Sequence, residues 1–437
     1  MEYVVLGAFC SGLLLCIVLD ISIIYALTAR LLMFMLYGRR KGFSWHEIVS
    51  MALNGVRTVR NILVTFLLIG TMTALWRAAG TIPFIVCHAT KLIRPSVFLL
   101  MTFLLNSGLS VLTGTSFGTA ATMGVICSAM GAAMNVSPIL TGGAVLSGAF
   151  FGDRCSPVST SALLVATVTN TNIYDNIRHM VRSALIPFLT TCLIYFGLGA
   201  FLPHEEAVMD LEGLFSTAYE LNWVTIVPAA AVLLLAVLRV DVKLAMGASI
   251  LTAVPICLLV QHAAFTDVLR ASISGFYPKN AEVAALINGG GIVSMLKVGC
   301  IVCISSAYAD IFNKTGLLDG ARHAISIVSH KTNRFAAMLL SASVSGMIAC
   351  NQTLTILLSN QLCGNLYTDH GRLAVDLEDT AVVIAPLIPW SIAGAVPLAA
   401  VGAPTAAILT SFYLILLPIY RLISETLGRN GKIAEPI

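Results

Sequence analysis

The chain has 437 residues, is 58% hydrophobic and only 11% charged, and carries a formal net charge of +4. Soluble domains carry about 25% charged residues, so this composition excludes a water-soluble globule, and the modest net charge gives no basis for nucleic-acid binding. Asp, Glu, Lys, Arg and His are absent from Pro95 to Gly152, from Phe335 to Thr368 and from Thr380 to Tyr420. Each run exceeds the roughly 20 residues that cross a bilayer as a helix, so the chain is a polytopic membrane protein.

The sequence begins apolar almost from Met1, carries Glu2 and has no basic n-region or small-residue cleavage site, which predicts a retained first helix rather than a signal peptide. That first span covers Tyr3–Tyr37, and the cluster Arg39-Arg40-Lys41, with Arg57 and Arg60, places the following loop in the cytoplasm. Further spans are expected at Ile62–Arg77, Ser96–Thr113, Thr119–Met134, Pro138–Phe151, Ser183–Leu202, Leu221–Leu238, Leu244–His262, Ile292–Ile311, Phe335–Ala349, Leu354–Leu366, Val382–Val401 and Pro404–Arg421. The short alternating segments of a membrane β-barrel are not seen. The fold class is therefore all-α, with about 10–13 membrane segments and no separate soluble domain. The eleven cysteines are scattered and form no pairing of C-x-x-C units with zinc spacing, so they read as small hydrophobes.

The pattern also repeats. FSWHEIV (43–49) and FTDVL (265–269) each open an amphipathic stretch after a hydrophobic span. LLIGTMTALWRAAG (67–80) answers to LKVGCIVCISSAYADIFNKTG (296–316), GTSFGTAAT to ACNQTLTIL, and FGDRCSPVSTS to LEDTAVVIAPLIPWS. One transporter domain of two halves follows, about 3–201 and 221–422, with a linker at 202–220 and a tail at 423–437. Paired, interrupted, polar-rich helices are the mark of a secondary transporter, and the charge asymmetry between the matching loops favours inverted repeats.

Polar groups inside apolar spans are costly and therefore functional candidates. Thr115, Ser116 and Thr119 lie among Gly108, Gly114 and Gly118, a pattern that suits either a helix break or close helix packing. Asp153, Ser156, Ser159 and Thr160 surround Pro157, which frees backbone carbonyls; freed carbonyls and hydroxyls suit a small hard cation, and a half-helix N-terminus suits an anion. The alternative is a surface helix end with Asp153 as its N-cap. Asn351, Gln352 and Thr353 are amides and a hydroxyl between long apolar runs, fit for ligation or for inter-helix hydrogen bonds. Glu378, Asp379, Trp390 and Ser391 flank Pro386 and Pro389, whose spacing rules out an unbroken helix and indicates a re-entrant break. Asp20 and Asp310 are lesser candidates. Gly114–Gly118 also fits the G-x-S-x-G of a serine hydrolase, with Asp153 and His179 in hydrolase order, but no strand precedes Gly114 and His179 lies in a charged segment. No catalytic residue is assigned.

GTSFGTAATMGV, SGAFFGDRCSPVSTS, NIRHM (176–180) and LEDTAVVIAPLIPWSIAGA (377–395) resemble, in order and over nearly the whole chain, the NhaC family of sodium/proton antiporters. The resemblance implies membership of the wider ion transporter superfamily, inverted repeats each with a helical hairpin, a homodimer and an elevator motion in the cell membrane. It departs from the family pattern G-D-K-M-S-P-L-S-D-T-T-N-L-A at Arg154, Thr160 and Leu163, and Asn351 stands where the family often has Asp. Asp153, Glu378 and Asp379 remain as carboxyls able to exchange sodium for a proton. The expected partners are the lipid bilayer and either a small cation or a small organic solute, an amino acid or a carboxylate. No cofactor is expected, and no metal beyond transported sodium.

Overall fold

The computed structural model describes residues 23–201, 211–238, 240–315 and 333–432, and nearly all of them are helical. The predicted start at Tyr3 and Asp20 lie outside these residues. The first half contains α1 (Ile23–Arg40), the amphipathic α2 (Trp45–Thr58), α3 (Arg60–Ala78), α4 (Thr81–Leu92), α5 (Pro95–Thr113), α6 (Ser116–Ala133), α7 (Pro138–Cys155), α8 (Thr160–Thr169) and α9 (Ile173–Phe201). The short α10 (Leu211–Ser216) and α11 (Trp223–Val237) connect to the second half. There follow α12 (Val242–Leu259), the amphipathic α13 (Phe265–Ser274), α14 (Ala281–Ile287), α15 (Leu296–Thr315), α16 (Arg334–Ala349), α17 (Gln352–Cys363), α18 (His370–Leu387), α19 (Ile392–Ala400) and α20 (Phe412–Lys432).

The order recurs: membrane helix, amphipathic helix, membrane helix, then two interrupted pairs and a closing long helix. The packing recurs with it. In the first half α1 and α2 lie against α15, and in the second half α12 and α13 lie against α3. The helices of one half thus cover the equivalent helix of the other.

Local chemistry sets the breaks. α5 ends at Gly114, whose φ of +65° is left-handed, and α16 ends at Cys350, with φ of +57°. In each case the next residue is extended and caps the following helix: Thr115 Oγ1 accepts from Gly118 N at 3.3 Å, and Asn351 Oδ1 from Leu354 N at 2.9 Å. Side-chain caps satisfy helix amides that have no partner within the helix. The second break in each half is also capped, by Ser159 before α8 and Ser391 before α19. α18 and α19 meet at 57°, so the apolar run Val382–Val401 is a bent pair, not one rod. Two π-helical turns interrupt the α pattern, Ala120–Gly124 in α6 and Glu378–Val382 in α18.

By length and composition, five described helices can cross a membrane: Arg60–Ala78, Pro95–Thr113, Ser116–Ala133, Ile173–Phe201 and Val242–Leu259; the bent pair makes a sixth. Other apolar helices, α8, α11 and α16 among them, are shorter. Interruption accounts for the half-length pieces.

α7 is buried along almost its whole length. A Cβ on Gly148 would meet Phe103 O at 2.6 Å, and one on Gly152 would overlap Ser110 and the Val111 amide. These glycines let the α7 backbone lie directly on α5, the small-residue packing that lipid-embedded helices use. The last turn of α7, which carries Asp153 and Arg154, is positioned by that contact.

Candidate functional site

Asp153 sits in the last turn of α7 rather than capping a helix, and it is 3% exposed. Its Oδ1 accepts from Ser159 Oγ at 3.0 Å and its Oδ2 from Gln352 Nε2 at 3.2 Å. Ser159 also caps α8, accepting from the amides of Ser161 and Ala162, and its hydroxyl lies 2.8 Å from that of Ser161. Gln352 reaches further, to the carbonyl of Val382 at 3.5 Å. One amide therefore ties the break of the second half to the carboxyl of the first.

Around Asp153 lies a buried charged cluster. Arg154, with no exposed side chain, pairs with Asp379 and donates to Ser183 Oγ at 2.8 Å, Met180 O at 3.1 Å and Tyr413 Oη at 3.3 Å. Arg421 pairs with Asp376 at 2.6 Å and with Asp379 at 2.8 Å. Asp376 also accepts from Tyr367 Oη at 2.9 Å. Glu378 differs: it is 1% exposed, and neither carboxyl oxygen has a hydrogen-bond partner among the described residues. It lies within electrostatic reach of Arg154, Asp153 and Asp379. The π turn that begins at Glu378 sets it in this position; π turns recur at functional sites.

Beside the cluster is a cavity of about 410 Å³. Helix tips form one wall: Phe117 of α6, Thr160 of α8, Gln352 and Thr353 of α17, and Ile392 of α19, with Asn351 at the break. The other wall comes from α2, α3 and α15, through Thr58, Ile62 and Ser306. Among the described residues no charged side chain lines it. Gln352 belongs both to this wall and to the Asp153 site. A second cavity, about 480 Å³, holds Arg182, Arg372, Arg421 and His179 together with Ser183 and Glu425. It reaches the charged cluster through Arg421 and Ser183.

The candidates read from sequence thus fall into three groups. Asp153, Ser159, Glu378 and Asp379 belong to the buried cluster, and Gln352 joins it. Thr160, Asn351, Gln352 and Thr353 line the first cavity. The rest shape the breaks. Thr115 and Ser391 are caps, and Thr119 Oγ1 is 3.4 Å from Thr113 Oγ1. Ser156 donates to Val111 O at 2.7 Å, Trp390 donates to Met347 O at 2.9 Å, and Ser116 is buried at the start of α6. Ser116 therefore follows a helix break, while His179 lines the second cavity; nothing here forms a nucleophile elbow. The sequence reading missed Asp376, Arg421 and Ser306. Asp376 was legible as a face-mate of Asp379 at i, i+3, and Arg421 as the charge that ends a long uncharged run.

Among the described residues no group of three or more His, Cys, Asp and Glu could hold a metal ion. A model of the Na+/H+ antiporter family matches residues 1–171 and 162–424. The chain is 29% identical to the Na+/H+ antiporter NhaC of Bacillus subtilis over 376 residues, 83% of either chain. It is 24% identical to a malate-2H+/Na+-lactate antiporter of the same organism, over 89% of this chain and 86% of that one. It is 26% identical to the arginine/ornithine antiporter ArcD of Halobacterium salinarum, over 90% and 84%. These relatives are transporters, not enzymes. The family model's match spans both halves, and with it the chain belongs to the Na+/H+ antiporter family, as a multi-pass membrane protein.

Proposed function

We propose that this protein exchanges sodium for protons, with Asp153 as the cation ligand and Glu378 as the second exchangeable carboxyl. Charge balance in the buried cluster carries the reading. Arg154 and Arg421 neutralise Asp379 and Asp376. That leaves Asp153 and Glu378 outside any ion pair among the described residues, with Arg154 acting on Glu378 only at longer range. An uncompensated buried carboxylate is costly, so each is expected to hold a proton or a cation. Sodium prefers oxygen ligands, and Ser159, Ser161 and the carbonyl oxygen of Gln352, with its amide turned, supply neutral ones beside Asp153. The two-halved order of elements supports a structural repeat, which we take to be inverted. The cavity between the helix tips and α2, α3 and α15 is then the seam along which one unit moves against the other, in a homodimer.

The test is sodium-driven proton movement in proteoliposomes read with a pH dye. The wild type is expected to acidify or alkalinise the lumen according to the sodium gradient, and Asp153→Asn to abolish the response. Undiminished exchange in that variant would overturn the assignment. A coupled carrier of a small organic solute is the second reading. It is favoured by the size of the neutral cavity and by the relatives named for malate–lactate and arginine/ornithine exchange.

A further inference from the structure

We infer that Gln352 is the door between the neutral cavity and Asp153 and decides which cation passes: its amide N–H closes the empty carboxylate, and its carbonyl oxygen turns inward to admit a cation. This rests on the reading of Asp153 as the cation ligand and adds how that ligand is reached and what selects its occupant.

The break before α17 fixes where this side chain starts. Cys350 is left-handed, Asn351 is extended and caps the amide of Leu354, and Gln352 is the first residue of the helix. Its Nε2 donates to Asp153 Oδ2 at 3.2 Å and leans toward Val382 O at 3.5 Å. An ionised carboxylate and a backbone carbonyl only accept hydrogen bonds. These two neighbours therefore set which way the amide lies, because an oxygen facing them would be repelled. The Gln352 carbonyl oxygen has no partner among the described residues and is not one of the buried atoms left without one, so it is accessible. Gln352 is among the described residues that line the cavity, whereas Asp153 and Ser159 are not. The amide thus stands between the cavity and the carboxylate.

Two side chains donate to the Asp153 carboxylate, and they are not equally free to move. The Ser159 hydroxyl is held at the α8 cap, by the amides of Ser161 at 3.2 Å and Ala162 at 3.3 Å and by the Ser161 hydroxyl at 2.8 Å. Gln352 has only the long contact to Val382 besides Asp153 itself. A cation on Oδ2 cannot coexist with an N–H aimed at the same oxygen, since the hydrogen carries positive charge toward it. Turning the amide about its last torsion exchanges N–H for C=O without moving the backbone, and that torsion is broad and roughly two-fold. The closed, empty site and the open, occupied one then differ by the turn of one amide.

Size places the selection at the same residue. A water molecule takes about 30 Å³ of liquid, so a cavity of about 410 Å³ holds a cation with its hydration water and does not sort ions by radius. Sorting falls to the step at which water is stripped, beside Gln352, where the cation exchanges hydration oxygens for the amide oxygen and the carboxylate. A shorter side chain there leaves room for a larger ion or for water to enter with it.

The experiment is thermal unfolding of the full-length protein in detergent, titrated with sodium chloride or potassium chloride against choline chloride at constant ionic strength. Sodium is expected to stabilise the wild type saturably, by mass action on the native state, and potassium not. Gln352→Leu keeps the bulk and removes both amide groups. It should weaken sodium binding roughly tenfold, the loss of one contact to a charged group, and still exclude potassium. Gln352→Ala should weaken sodium binding and let potassium stabilise. In proteoliposomes Gln352→Leu should raise the sodium KM, with turnover at saturating sodium far less affected. A merely structural role would instead lower turnover and the ligand-free unfolding temperature and leave KM unchanged. Sodium affinity unaltered in both variants, or potassium still excluded by Gln352→Ala, would overturn this inference alone. A wild type that neither binds sodium nor exchanges it for protons would overturn the Asp153 reading, and this one with it.

Discussion

Glu378→Met is the most revealing single change. The glutamate is almost fully buried and both its oxygens lack partners among the described residues. Each unsatisfied buried polar atom costs about 1–3 kcal/mol. Methionine is unbranched, of similar length, and adapts to irregular space, so it adds apolar contact instead. Even if only one oxygen carries the full penalty, the variant should be more stable by roughly 2 kcal/mol, in line with the gain seen when buried charges are replaced by apolar groups. Stability is read from denaturant or thermal unfolding in detergent, and exchange from the pH-dye assay in proteoliposomes. The expected outcome is a more stable protein that no longer couples sodium to protons. That pairing is what a functional group kept at the expense of stability produces. A variant that is less stable, or one that exchanges normally, would refute the reasoning.

Arg154→Met breaks the pairing with Asp379 and empties the contacts to Ser183 and Met180; it should cost about 3–5 kcal/mol, as the removal of one partner of a buried ion pair does. Unfolding measurements check it, and Arg154→Met with Asp379→Leu should recover much of the loss. Gly152→Ala drives a methyl group into the α5 backbone and should destabilise by about 1–3 kcal/mol, whereas Gly108→Ala, with open space around it, should be neutral or slightly stabilising. Asn351→Ala removes the α17 cap and should cost about 1 kcal/mol, with a matching loss of transport because the break it sets also aims Gln352 at Asp153. Cysteines at Thr58 and Thr353, on opposite walls of the cavity, should cross-link in one transport state and arrest exchange; free turnover with the link formed would exclude motion along that seam.

The architecture was legible because bilayer physics writes it plainly into composition. Charge-free runs gave the spans, and glycine, proline and hydroxyl clusters gave the breaks at Gly114, Ser159, Asn351 and Ser391. The site was half legible. Asp153, Gln352 and Glu378 stood out as polar residues in apolar surroundings. The neutral positions Thr160 and Asn351, departures from the family pattern, turn out to share one cavity wall. Periodicity could not show which carboxyls are neutralised, because Arg154 and Arg421 reach Asp379 from distant helices. The roles of Thr115 and Ser116 were the reverse case: conspicuous in sequence, they build the break rather than the cavity.

The π turn at Glu378–Val382 fixes the phase of α18. A π turn accommodates one residue more than the α pattern, and each residue of an α-helix turns the chain by about 100°. Everything on one side of it is thus rotated relative to the other by about that angle. Deleting one residue within the turn would restore a plain helix, and Asp376, on one side, would lose its alignment with Pro386, on the other. Arg421 and the helix break could not both keep their partners. Substitutions in this stretch are local events, but a change of length by one residue is felt as a rotation of the whole element, so chain length here is under tighter constraint than side-chain identity.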